Sequence, residues 1–148
     1  MLKRLKFEIT IDASKEKVWK FLWEPTSYSQ WTGSFCVGSY YETSSLALGN
    51  RIHFLTPNGE GMYSNISGLI TNSYMEFTHL GNIVAFKEQP IDVSNEEYWE
   101  NAKEIYELKE KDAVTHLSVF VDVIDKYERT MNEMFPKALH ELKRIVEH

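Results

Sequence analysis

The hydrophobic pattern of the chain changes from a strand-like to a helix-like period near its end. Short segments of alternating apolar and polar residues fill most of residues 33–123, as is typical of β-strands. The last quarter instead has apolar residues at a three-and-four spacing, which predicts one long amphipathic helix. Its apolar stripe comprises Tyr127, Met131, Met134, Phe135, Ala138, Leu139, Leu142, Ile145 and Val146. Because no second long helix is predicted, this stripe must pack against a sheet.

The first part of the chain predicts one strand and two short helices. Residues 3–11 alternate and indicate a strand, after which Ser14 is in position to cap a helix. Pro25 ends that helix, because the residue before a proline avoids helical backbone angles. Residues 26–31 predict the second short helix. A strand followed by two short helices therefore precedes the main sheet.

The middle of the chain predicts an antiparallel sheet built from hairpins. The predicted strands cover residues 35–43, 50–56, 61–71, 74–80, 101–108 and 114–123. The sequence Pro57-Asn58-Gly59 is a strong hairpin-turn signal. Residues 82–97 indicate a loop or a short helix. The predicted fold class is α+β, with a curved antiparallel sheet wrapped around a long C-terminal helix.

Composition and charge narrow the function. A chain of 148 residues is expected to form one domain, residues 1–148, with a sizeable core. The net charge of −6 and the absence of a Lys/Arg stripe exclude nucleic acid as an expected partner. The single Cys36 excludes an internal disulfide and fits a reducing compartment. No secretion signal or membrane-spanning segment is recognisable, so we expect no membrane insertion and a cytoplasmic location.

No catalytic, metal or cofactor motif stands out in the sequence. The five histidines show no HxxxH or HExxH spacing, and Cys36 has no partner for a metal site. Nucleophile-elbow, Walker and dinucleotide-binding motifs are absent. We therefore expect no metal, no cofactor and no assignable catalytic residue.

Strand alternation predicts which side chains face the terminal helix. The predicted inner face comprises Ile52, Phe54, Met62, Ile66, Ile70, Met75, Phe77, His79, Leu117, Val119, Val121 and Val123. His79 is polar on this apolar face, and Glu104 shares a face with Tyr106 on a neighbouring strand. One interpretation is the polar end of a pocket, which would fix a hydroxyl, carbonyl or amine of a ligand. The other is that His79 and Glu104 are a satisfied pair, or that Glu104 lies in water at the sheet edge.

A curved sheet that grips one helix tends to enclose a cavity, and aromatic and methionine side chains are candidates for its walls. The candidate ligand-binding residues are Trp31, Phe54, Met62, Phe77, His79, Trp99, Glu104, Tyr106, Met131 and Phe135. Tyr40 is a further aromatic candidate. Each apolar member has the alternative role of plain core packing. Access for a ligand is expected between the terminal helix and residues 82–99.

Several local segments resemble a known family. The opening FEITIDAS at residues 7–14, the following Val18-Trp19 and the position of Trp31 resemble START-like domains of the birch-pollen-allergen (SRPBCC) superfamily. The segments GNRIHF (49–54), NGEG (58–61), YMEFTHLG (74–81) and FPKAL (135–139) resemble the branch related to the C-terminal domain of the activator of heat-shock protein 90 ATPase. The resemblance covers essentially the whole chain and implies the helix-grip fold.

The resemblance also implies a loose function. Members of the superfamily bind lipids, hormones or polyketides, and some catalyse cyclisation. We therefore expect a module that binds a small hydrophobic molecule. The alternatives are an enzyme that uses Glu104, His79 or Tyr106 as acid or base, and a co-chaperone-like module that binds a chaperone. The co-chaperone carries a further N-terminal domain without a counterpart in this sequence, which favours small-molecule binding; a monomer or a homodimer is expected.

Overall fold

The computed structural model describes residues 2–90 and 100–148. The strands are β1 (Leu2–Ile11), β2 (Tyr40–Thr43), β3 (Arg51–Leu55), β4 (Gly61–Ile70), β5 (Tyr74–Val84), β6 (Lys87–Glu88), β7 (Lys103–Lys111) and β8 (Val114–Ile124). The helices are α1 (Lys15–Trp23), α2 (Pro25–Thr32) and α3 (Asp125–Glu147). The predicted α+β class is confirmed, with two short helices after the first strand and one long helix after the last.

The strands form one antiparallel sheet in the order β1-β8-β7-β5-β4-β3-β2, and the short β6 pairs with β5. The sheet curves around α3, which packs on β1, β8 and both short helices. The chain therefore buries the apolar stripe of its terminal helix against a sheet, as expected for a long helix without a helical partner.

Local sequence signals set the two short helices. The Ser14 hydroxyl accepts a hydrogen bond from the backbone N–H of Lys17 at 3.2 Å, which caps α1 as predicted. Pro25 occupies the first turn of α2, where its missing N–H costs nothing. The two helices consequently follow each other directly, and α2 is placed beside α3.

The strand predicted from residue 35 begins only at Tyr40. The backbone N–H of Phe35 donates to the carbonyl of Thr32 at 2.9 Å, and that of Ser39 to the carbonyl of Cys36 at 3.1 Å. These are turn hydrogen bonds, and Gly38 between them has a φ of 85°, a left-handed conformation that favours glycine. Residues 35–39 therefore form a turning segment beside α2.

Ile70 was predicted to face inward, and this prediction is wrong. The pairing of β4 with β5 shifts between Ile66 and Gly68, so that one residue of β4 is skipped. A skipped residue reverses the faces of the side chains that follow it. Leu69 consequently packs against the core, whereas Ile70 is 64% exposed.

Burial along α3 is uneven. Its buried side chains all lie from the middle of the helix onward: Phe135, Ala138, Leu139, Leu142 and Val146. In the first half, Met131 is only partly buried and Tyr127 is exposed. The C-terminal half therefore anchors the helix to the sheet.

A smaller apolar cluster lies apart from the main core. Leu55, Tyr63 and Ile83 are buried there, with Tyr40 and Leu80 packed against them. Strands β3, β4 and β5 thus pack apolar side chains in two separate clusters. Among the described residues, no helix is long and apolar enough to cross a membrane.

Candidate functional site

A cavity of about 430 Å³ lies between the inner face of the sheet, α2 and the first half of α3. This volume falls within the range of roughly 300–1,000 Å³ that is common for small-molecule sites. Its wall is mostly apolar and includes Tyr28, Trp31, Phe35, Tyr40, Phe54, Met62, Val121, Val123, Tyr127, Met131 and Phe135. The cavity is therefore an apolar space in the concave side of the sheet, covered by the less buried half of the helix.

Most of the predicted ligand-binding residues line this cavity: Trp31, Phe54, Met62, His79, Glu104, Tyr106, Met131 and Phe135. Phe77 is instead fully buried behind the wall, where its ring contacts that of Phe54 with 5.0 Å between centroids. Trp99 lies outside the described residues. Phe77 is therefore placed in the core that supports the cavity wall.

A chain of polar contacts runs along one part of the wall. Ser64 Oγ lies 2.6 Å from His79 Nδ1, and His79 Nε2 lies 3.1 Å from Glu104 Oε1. The hydroxyl of Tyr106 donates to the other carboxylate oxygen of Glu104. Because an ionised carboxylate only accepts hydrogen bonds, His79 presents Nε2–H to Glu104. His79 and Glu104 are thus both a pair and part of the pocket wall.

Strand register creates this polar group. Glu104 pairs with Phe77 across β5 and β7, which leaves His79 diagonal to Glu104 and within reach of its carboxylate. Tyr106 lies two residues along β7, on the same face as Glu104. Three side chains from two neighbouring strands therefore converge on the cavity.

The electrostatics of the wall keep its phenols protonated. Burial, and then the negative charge of Glu104, raise the pKa of Tyr106 well above its usual value. The same two causes raise the pKa of Tyr28 on α2. Glu104 has 17% of its side chain exposed and His79 only 5%. A carboxylate and neutral hydroxyls thus meet in a largely dehydrated space.

The aromatic wall is held rigidly. The indole N–H of Trp31 donates to the backbone carbonyl of Leu22 at 3.1 Å. Its ring packs edge-on to Tyr28 and Tyr106, with 5.5 Å and 6.2 Å between centroids. Gly61 keeps the turn beside this wall narrow, since a Cβ there would lie 1.8 Å from the carbonyl oxygen of Phe54.

The sequence analysis missed two residues of this site. Tyr28 lines the cavity, and Ser64 supports its wall from behind. Ser64 follows Met62 by two residues and so shares its inward face, and strand alternation could have identified it. Tyr28 lies in a short helix with few apolar residues, which offered no comparable signal. Within the described ranges, no group of three or more His, Cys, Asp or Glu side chains is arranged to hold a metal ion.

This architecture is the predicted helix-grip fold, and similar solved structures share it. A protein of Mesorhizobium loti is 14% identical with a TM-score of 0.73, covering 97% of this chain and 96% of that one. The Aha1 dimer of Colwellia psychrerythraea is 19% identical with a TM-score of 0.71, covering 98% of this chain and 96% of that one. An Aha1 protein is thus among the neighbours, as the sequence motifs suggested.

A third similar structure is DynU16, a protein in the dynemicin biosynthetic locus. It is 11% identical with a TM-score of 0.69, and the match covers 97% of this chain but 47% of DynU16. No family model and no curated protein matches the sequence. Likeness at these identities shows the shared fold, while function must be argued from the cavity itself.

Proposed function

We propose that the protein binds a small apolar molecule in the cavity beneath α3. The observation that carries this proposal is the cavity of about 430 Å³, whose mostly apolar wall contains the hydrogen-bonded group of Glu104, His79 and Tyr106. Small-molecule sites combine these features, because apolar walls supply affinity and a few placed polar groups fix orientation.

The expected affinity is modest. Burying about ten methylene groups contributes about 8 kcal/mol before association costs. After those costs, a dissociation constant between micromolar and millimolar remains. The polar group then determines which of several apolar molecules is preferred.

Native mass spectrometry of the freshly purified protein, together with titration of the neutral dye Nile red, tests the proposal. We expect a co-purified small molecule or saturable Nile red fluorescence. Met131→Trp fills the cavity from α3 and should weaken dye binding about tenfold or more. The matched control is Met134→Trp, a half-buried position on the same helix that does not line the cavity.

Two outcomes would count against binding in this cavity. One is a clean apo mass with no saturable dye signal. The other is an equal loss of dye binding in Met131→Trp and Met134→Trp, since the control leaves the cavity wall unchanged.

A second candidate function is acid–base catalysis on a bound ligand. The observation that favours it is the convergence of Glu104, His79 and Tyr106 in one cavity, within hydrogen-bond reach. Ser64 does not line the cavity and is therefore not placed to act as a nucleophile there. Catalysis predicts that a co-purified or added ligand changes mass during incubation with the protein and stays unchanged with Glu104→Gln.

Chaperone binding is the third proposal, supported by the Aha1 neighbour and by the segments that resemble the activator of heat-shock protein 90 ATPase. Purified heat-shock protein 90 and this protein, mixed and run on a sizing column, would test it. Co-elution supports the proposal, and separate elution at micromolar concentrations opposes it.

A further inference from the structure

We propose that the cavity selects apolar molecules bearing a protonated amine over those of the same size bearing a carboxylate. This inference rests on the proposed function, because it concerns the ligand of the same cavity. Its basis is the placement of the Glu104 carboxylate in an aromatic wall that contains no lysine or arginine among the described residues.

The charges of the wall support this selection. Two acidic residues are among those that line the cavity, Glu104 and Asp122. Asp122 is compensated by the guanidinium of Arg4 at 2.8 Å and by the backbone N–H of Lys103 at 2.9 Å. Glu104 instead contacts the imidazole of His79 and the phenol of Tyr106. The wall thus has a negative bias that a ligand cation complements.

Partial burial makes that bias effective. Only 17% of the Glu104 side chain is exposed, so water screens its charge less than at the surface. An ammonium group beside it forms a charge-assisted hydrogen bond, which is stronger than a neutral one. A ligand carboxylate in the same place meets a like charge.

The aromatic rings of the wall also favour a positively charged ligand. Trp31, Tyr28, Tyr106 and Phe54 are lining residues of the same cavity as Glu104, and aromatic rings attract cations. Aromatic faces around a carboxylate are a common arrangement for binding ammonium groups. Aromatic rings do not attract a carboxylate in this way. The charge of Glu104 and the aromatic rings therefore both favour an amine ligand over a carboxylate ligand.

A headgroup series with one alkyl chain tests the proposal: decylamine, decanol and decanoate, each titrated below its aggregation limit at neutral pH by displacement of Nile red. We expect decylamine to bind roughly ten to a hundred times more tightly than decanoate, with decanol between them. Glu104→Gln should remove most of the amine preference while changing decanol binding little.

Glu107→Gln is the matched control, because Glu107 lies on the same strand and outside the cavity wall. It should leave the headgroup order intact. Circular dichroism verifies that both variants fold, and the amine-to-acid ratio of the native protein tests the proposal without any variant. Decanoate binding as tightly as decylamine overturns amine selection, as does an unchanged ratio in folded Glu104→Gln. Loss of Nile red binding itself would instead contradict the proposed function.

Discussion

Ser64 and His79 face each other across β4 and β5, with Ser64 Oγ 2.6 Å from His79 Nδ1. A bulge in β5 lies directly after this pair. Tyr63 pairs with Gly81 and Ser64 with His79, so Leu80 is skipped. His79 shares the inward face of Phe77 through unbroken alternation, whereas Ile83, beyond the bulge, joins the separate apolar cluster.

Removing the Ser64 hydroxyl tests the importance of this pair. Ser64→Ala leaves His79 without that partner in a buried site, and we expect the free energy of unfolding to fall by about 1–2 kcal/mol. Ser67→Ala, which removes a hydrogen bond to Glu76 at an exposed position of the same strand, should cost less than Ser64→Ala because water can replace the lost partner. Urea denaturation measures the free energy of unfolding of both variants. Equal losses would show that the Ser64–His79 contact stabilises the fold no more than an exposed serine does.

Alkaline pH is expected to destabilise the protein through its buried phenols. An unfolded tyrosine loses its proton near pH ~10, whereas burial and Glu104 keep Tyr28 and Tyr106 protonated in the folded state. The unfolded state then binds fewer protons, so stability falls as pH rises above about 10. Each phenol contributes a slope of about 1.4 kcal/mol per pH unit. Tyr106→Phe should make the slope shallower by that amount in denaturation experiments; an unchanged slope contradicts the assignment.

Gly61 is expected to tolerate no side chain. Its Cβ would lie 1.8 Å from the backbone carbonyl of Phe54, and backbone cannot move aside cheaply. Gly61→Ala should therefore destabilise the protein by about 3 kcal/mol or more. Gly49→Ala is the comparison, since that site is open but has a φ of 89°, and a cost of about 1–2 kcal/mol is expected. Thermal and urea unfolding would rank the two, and the reverse ranking would contradict the close approach.

Cys36 is expected to report ligand binding. It is the single cysteine, it is exposed, and it lines the cavity. A ligand that fills the cavity should slow the reaction of its thiol with a bulky maleimide by several fold. Mass spectrometry of timed samples with and without saturating Nile red measures this. Unchanged kinetics under saturation would place the dye elsewhere.

The periodicity of the chain predicted the elements well because each has a strong local cause. The α3 stripe, the Ser14 cap and the break at Pro25 are all determined by neighbouring residues, and each appears in the structure. Most of the candidate wall residues were also found from alternation, since inward-facing positions near one helix surround the same space.

Bulges and turns are the features that the hydrophobic pattern did not predict. Alternation assumes an unbroken pleat, and the skipped residues between Ile66 and Gly68 and at Leu80 reverse it. The left-handed Gly38 likewise converted the start of a predicted strand into a turn. The contact between His79 and Glu104 depends on pairing of β5 with β7, which connects residues distant in sequence and leaves no local signature.

The uneven burial of α3 has a mechanical consequence. Because the deeply buried side chains begin at Phe135, the turns that precede it can lift from the cavity while the remaining turns hold the helix in place. The first half of α3 then acts as a hinged cover whose opening uncovers Met131 and leaves the buried residues beyond Phe135 in place. Amide hydrogens of residues 125–132 should accordingly exchange faster than those of residues 138–146, and a bound molecule should slow mainly the first group.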